Sequence, residues 1–135
     1  MPRLPTPVTL SFSYEVDYSE LPLIPVMFTY RDSPGITVLC LVDSGSSDIM
    51  LPSELANELG VVLEAPSGPI VGVTGVGQGW LHPLTATFLE LDNFTLSVQA
   101  IFLPQLPVVL IGRSPFFQRL DVAFQHRRGK LYFNT

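Results

Sequence analysis

Lysine, cysteine and charge in general are scarce in this chain of 135 residues. Charged side chains make up 14% of it, twelve acidic against seven basic for a net charge of -5, and Lys130 is the only lysine. So acidic a balance leaves little to grip a phosphate backbone, and nucleic acid is excluded as a partner. The one basic cluster, Arg127, Arg128 and Lys130, reads as a solvated hairpin turn. A single cysteine, Cys40, rules out an internal disulfide, and its place within an apolar run marks it as a buried, inert thiol. Two histidines and one cysteine show no metal-ligand spacing, so no metal or other cofactor is expected. No Gly-x-Ser-x-Gly elbow accompanies the serines and histidines, which argues against a serine nucleophile. Gly72 to Gly77 has the four-residue gap of a phosphate loop, but Gln78 and Gly79 stand where lysine and a hydroxyl residue are required. The uncharged stretch from Asn93 to Gly112 is interrupted by Pro104 and Pro107, which disfavours a membrane span. Met1 to Pro5 lacks the apolar core of a secretion signal, and the expectation is a soluble, cytoplasmic protein.

What is abundant is apolar. Hydrophobic residues reach 47%, more than a small monomer easily hides, so some of that surface is expected to meet another chain. Thirteen prolines and ten glycines punctuate short stretches of Val, Ile, Phe, Thr and Leu, which reads as an all-β chain. Strands are expected near Val8 to Tyr14, Leu23 to Tyr30, Ile36 to Val42, Ile70 to Val73, Trp80 to Leu91, Phe94 to Leu103, Val108 to Ile111, Asp121 to His126 and Leu131 to Asn134. Two short helices are expected as well. Pro52 to Gly60 offers proline in the first turn and glycine for a left-handed cap, and Ser114 to Leu120 offers a serine cap followed by proline. No linker or repeat divides residues 1–135, which read as one domain with residues 1–7 as a loose N-terminal arm.

Asp43-Ser44-Gly45 ends the apolar run that begins at Ile36. A carboxylate at the tip of a buried strand is costly unless backbone and hydroxyl donors receive it, so its presence points to chemistry. The run Val109-Leu110-Ile111-Gly112-Arg113 repeats the pattern of a strand ending on glycine, and a glycine-rich stretch, Val71 to Gly79, lies between the two. In this order the three elements resemble the retropepsin-like aspartic proteases, from about Leu23 to the C-terminus. The resemblance implies a closed β-barrel of the pepsin and retropepsin type with a flap hairpin and one or two short helices. It also implies an aspartic endopeptidase in which one carboxylate deprotonates water while a second, protonated one serves the carbonyl oxygen.

Only one Asp-Ser-Gly is present and no Asp-Thr-Gly, so the second carboxylate would come from another copy, with Asp43 of each subunit at the axis of a homodimer. By the same resemblance Ser44 hydrogen-bonds across that axis and Gly45 lets backbone approach the carboxylate. Ser46, Asp48, Val73, Thr74, Gly75, Val76 and Gly77 would meet a peptide or protein substrate, whose apolar side chains would face Ile49, Val73, Val76, Leu106 and Val108. Gly112 permits a close crossing. Arg113 corresponds to a family arginine whose usual acidic partner is replaced here by Ser47, leaving Asp48 or backbone carbonyls to receive it. The C-terminal Leu131 to Asn134 either interleaves between subunits with the segment around Val8 to Phe12, or returns within its own subunit as a hairpin through Arg128-Gly129. The alternative to an enzyme is an inactive binding or dimerisation module on the same fold.

Overall fold

Alternation along Ile36–Val42 puts Cys40 and Val42 inside and leaves Leu39 and Leu41 outside, and this segment forms strand β3 of the computed structural model. The structure describes all residues except Met1, Leu4, Pro5, Pro7, Val8, Ala65, Pro66, Ser67, Val73 and Thr74, and only the backbone of Gly68–Gly72, Gly75 and Val76. The other strands are β1 Tyr14–Asp17, β2 Leu23–Thr29, β4 Met50–Pro52, β5 Gly68–Gly72, β6 Gly75–Phe88, β7 Phe94–Leu103, β8 Val109–Ile111, β9 Asp121–Gln125 and β10 Lys130–Asn134, with one helix, α1, at Phe116–Arg119.

Strands pair in the order β2-β3-β8-β4-β7-β6, and β2 pairs again with β6, which closes a six-stranded barrel. Most pairings are antiparallel, but β3 with β8 and β4 with β7 run parallel. Strand β6 does two jobs along its length. Trp80 to Phe88 pair with β7 in the barrel, whereas Gly75 to Gly79 extend beyond it and pair with β5 as a hairpin. Val26, Phe28, Val42, Leu51, Ala86, Phe102 and Ile111 fill the barrel and are almost wholly buried. A second, three-stranded sheet, β1-β10-β9, stands beside it. Phe116 joins the two layers: its ring stacks on Phe88 at 4.8 Å and meets Phe133 edge-on at 6.0 Å.

Several expectations need correction. The first strand begins at Tyr14, not near Val8, and of the segment read as strand Val8 itself lies outside the described residues. Pro52 ends β4 opposite Leu103 and does not start a helix, so only a single 3-10 turn, Ser53–Leu55, follows, with further turns to Gly60. Gly60 does take the left-handed conformation, at φ 73°. Ser114 does not cap α1, which is one turn long with Pro115 at its cap; Ser114 instead bridges to Asp48. Strand β10 pairs with β9 on one side and with β1 on the other, all in its own chain. Gly129 makes the turn between β9 and β10 at φ 61°. Interleaving of β10 between subunits therefore has no free edge to use, and the return hairpin is what forms.

Arg127 and Arg128 are exposed in the turn before Gly129, and Lys130 binds Asp17 at 2.6 Å with Glu15 at 3.6 Å. No helix among the described residues is long and apolar enough to cross a membrane. Cys40 has no exposed surface, and burial pushes its thiol far above the ordinary range. In the native protein Cys40 is expected to resist iodoacetamide for hours and to react at once in urea; fast native alkylation would show that the barrel opens readily.

Candidate active site

The backbone fixes Asp43 before its side chain does anything. As β3 ends at the buried Val42, the Asp43 amide donates to the Ile111 carbonyl at 3.0 Å, tying the residue to the end of β8. The chain then turns, with the Ser46 amide donating to the Asp43 carbonyl at 3.1 Å. Within that turn the Gly45 amide donates to Asp43 Oδ1 at 2.9 Å, so the half-buried carboxylate is folded back over its own loop. A Cβ at Gly45 would lie 3.1 Å from Asp43 Oδ1, tight enough to press on that hydrogen bond. Ser44 and Gly45 are exposed.

The turn is held from behind by the residues after β8. Arg113 N–H donates to the Ser46 carbonyl and Ser114 N–H to the Ser47 carbonyl, each at 2.9 Å. Gly112 sits at the crossing, buried, and a Cβ there would collide with the Asp48 carbonyl oxygen and stand 2.6 Å from the Ser46 carbonyl oxygen. Ser46, the one buried polar side chain among the described residues, donates to the Asp48 carbonyl at 2.9 Å. Two peptide segments distant in sequence thus cross at a contact distance that only glycine permits.

A family model of aspartyl proteases matches residues 28–114, well over half of the chain and inclusive of both crossing segments. The chain belongs to the aspartyl protease family. Among the solved structures that share its fold are two proteases. A retropepsin-like aspartic protease from Rickettsia conorii superposes with a TM-score of 0.63 at 16% identity, over 89% of this chain and 96% of that one. EIAV protease, solved in complex with the inhibitor HBY-793, superposes with a TM-score of 0.58 at 20% identity, over 76% of this chain and 93% of that one. No curated protein sequence matches. The barrel with its β5–β6 hairpin is a retropepsin-like fold.

Of the residues singled out in the sequence, this member of the aspartyl protease family brings Asp43, Ser44, Gly45, Ser46, Asp48, Gly112 and Arg113 together. Gly75, Val76 and Gly77 lie on the β5–β6 hairpin, where Gly72 pairs with Gly75 and Val71 with Val76. Val73 and Thr74 lie outside the described residues. Arg113 does not pair with Asp48: its Nη1 donates to the Ser44 carbonyl at 3.1 Å, and Asp48 Oδ2 accepts from the Ser47 hydroxyl at 2.7 Å. Of the two receivers considered for the arginine, the backbone carbonyl is the one used.

Ile49 is no wall of a surface pocket; it is fully buried, on the same side of the chain as Leu51. Met50 between them faces outward, and register shows what it joins. Leu41 pairs with Leu110, Leu110 with Met50 and Met50 with Ile101, a row of apolar side chains on the outer face of the barrel beginning two residues before Asp43. Sequence reasoning missed this row, although the inward Cys40 and Val42 already require Leu41 to point out. It missed Trp80 too, whose indole N–H donates to the Glu64 carbonyl at 2.9 Å. That bond fastens the chain leading toward the β5–β6 hairpin to the strand leaving it.

Proposed function

We propose that this chain is an aspartic endopeptidase in which Asp43 of two copies, related by a two-fold axis, activates the water that hydrolyses a peptide bond. The observation that carries the reading is the Asp43 turn itself: a half-buried carboxylate at a strand end, held by the Gly45 amide and by a backbone bond to Ile111, in a chain that has one such turn. Two carboxyl groups about 3 Å apart cannot both ionise, so the pair shares one proton and supplies both an acid and a base. The ionised member takes a proton from water as its oxygen adds to the substrate carbonyl carbon. The protonated member gives its proton to the carbonyl oxygen. Collapse of the resulting gem-diol breaks the C–N bond, with a proton returned to the leaving amine.

Other residues take supporting roles in this reading. The exposed Ser44 hydroxyl reaches across the axis, and Gly45 admits the substrate backbone beside the carboxylate. Leu41, Met50 and Leu110 floor the cleft and favour apolar side chains around the scissile bond, while Asp48 borders it and Ser46, expected from the sequence to meet substrate, is buried and braces the Asp48 carbonyl instead. The hairpin that includes Val73, Thr74, Gly75, Val76 and Gly77 closes over the peptide and excludes water. Arg113 braces the turn through the Ser44 carbonyl, so Arg113→Ala is expected to lower kcat/KM about tenfold. Its thermal midpoint should fall by only about 3–5 °C, and an unchanged kcat/KM would remove the brace from the mechanism.

The test is cleavage of an unbiased peptide library between about pH 3 and pH 7, with solution mass recorded for the same samples. Cleavage that tracks the dimer supports the enzyme. A well-folded dimer that cleaves nothing supports the binding module.

A further inference from the structure

Among the described residues β5 pairs with β6 and with no other strand, so the β5–β6 hairpin joins the barrel through β6 and through the chain that enters it after Glu64. A projecting ribbon of two strands is marginally stable at best by itself. How its root is fastened therefore governs how it moves. On the entering side Val61 is buried, its amide donates to the Ala56 carbonyl at 2.9 Å, and Leu63 packs on the core. On the leaving side Trp80 pairs with the fully buried Phe102 and packs on the core as well. Its indole N–H then reaches back to the Glu64 carbonyl at 2.9 Å. An apolar body anchored in the barrel thus carries a polar tip that holds the opposite arm.

A second observation lies one residue further along the hairpin. Gly79 stands directly opposite Gly68, the innermost pair of the ribbon. Cross-strand side-chain pairs stiffen a ribbon, and this pair has none. A fastened root followed at once by a bare pair places the bend at Gly68 and Gly79. Trp80 is also next to Leu81, which lies opposite Ile101 and so prolongs the outer row of Leu41, Leu110 and Met50. The root is thereby set in line with the row that begins beside Asp43.

We propose that Trp80 is a positioning residue for peptide capture: its bond to Glu64 holds the root of the hairpin still, so that closure is a swing about the pair Gly68 and Gly79. The proposal deepens the reading above, in which the hairpin covers the peptide, and rests on it. A tethered hairpin loses less freedom on closing than an untethered one, so the tether favours capture and leaves the proton transfers at Asp43 untouched. Its signature is an effect on KM with little on kcat.

Trp80 is the only tryptophan, so a tryptophan-auxotrophic host fed β-(3-benzothienyl)alanine exchanges this one side chain for an isostere in which sulfur replaces the N–H. Trp80→Phe removes the same donor genetically. In both proteins KM for a cleaved peptide should rise about five- to tenfold, with kcat within about twofold of wild type. The thermal midpoint should fall by no more than about 3–5 °C. Hydrogen exchange of the free protein supplies a readout independent of activity. Amides of Gly68–Gly72 and of residues 75–79 should exchange about tenfold faster, with those of β7 and β8 unchanged. A KM that does not move, or exchange that quickens across the barrel instead of in the hairpin, overturns the role of Trp80 and leaves the paired Asp43 site standing. If wild type cleaves no peptide, the paired-site reading fails and exchange still decides the latch: faster exchange in the hairpin upholds it, and unchanged exchange overturns it.

Discussion

Asp43→Asn is expected to lower peptide hydrolysis by about 10³–10⁴-fold or more while leaving the fold in place. A homodimer carries the change twice, so neither the base that activates water nor the acid that serves the carbonyl oxygen remains. Stability should move little, because the bond that Asp43 Oδ1 accepts from the Gly45 amide can still be accepted, more weakly, by an asparagine oxygen. The backbone bond from Asp43 to Ile111 does not involve the side chain at all. The decisive readout is therefore a split: kcat/KM collapses, while the thermal midpoint and the dimer mass stay near wild type. Activity that survives the substitution sinks the mechanism, and a loss that comes with unfolding would mean the carboxylate is structural.

Gly112→Ala should have the largest effect on stability. The atoms its Cβ would strike are the Asp48 and Ser46 carbonyl oxygens and the Asp48 amide nitrogen, all backbone, so no side-chain rotation can relieve the clash. Residues 46–48 would have to move away from residues 112–114. That breaks the bonds from Arg113 to Ser46 and from Ser114 to Ser47. Lost hydrogen bonds and strain together are expected to cost about 3–5 kcal/mol, a large share of the roughly 5–15 kcal/mol that keeps a domain folded. Urea denaturation should show a midpoint far below wild type, and any folded remainder should be inactive. Gly77→Ala is the control, since an added Cβ there meets nothing within 4 Å. Equal stability of the two variants would mean that the crossing yields more easily than its contacts imply.

Local pattern carried part of this fold. Ile36–Val42 and Phe94–Leu103 were legible to the residue, because each alternates or runs apolar between turn residues. Strand β4 was not, because three residues held by Ile101 to Leu103 and by Leu110 carry no local signal. The first strand was misplaced for a related reason. Val8 to Phe12 alternates well, but Leu10 is 69% exposed, and β10 pairs instead with Tyr14–Asp17, where Val16 is buried. Non-local pairing overruled local propensity. At the site, the turn at Asp43 and the glycine at 112 are written in residue types. The receiver of Arg113 is not, since it depends on how two distant segments cross. Ile49 was misread because a helix was expected to begin at Pro52, which hid the strand parity that sends Ile49 in and Met50 out.

The same crossing sets an order of events during synthesis. The amide of Asp43 waits for the carbonyl of Ile111, and the carbonyls of Ser46 and Ser47 wait for amides at 113 and 114, with β3 and β8 parallel and far apart in the chain. Contacts of that range close late, since the loop between them must be ordered first. A nascent chain leaving the ribosome therefore carries its Asp-Ser-Gly segment without the structure that shapes it until Ile111 to Ser114 have emerged. The shaped turn at Asp43 is complete only once β8 and the residues just after it have been made, and a chain cut short before them would lack it.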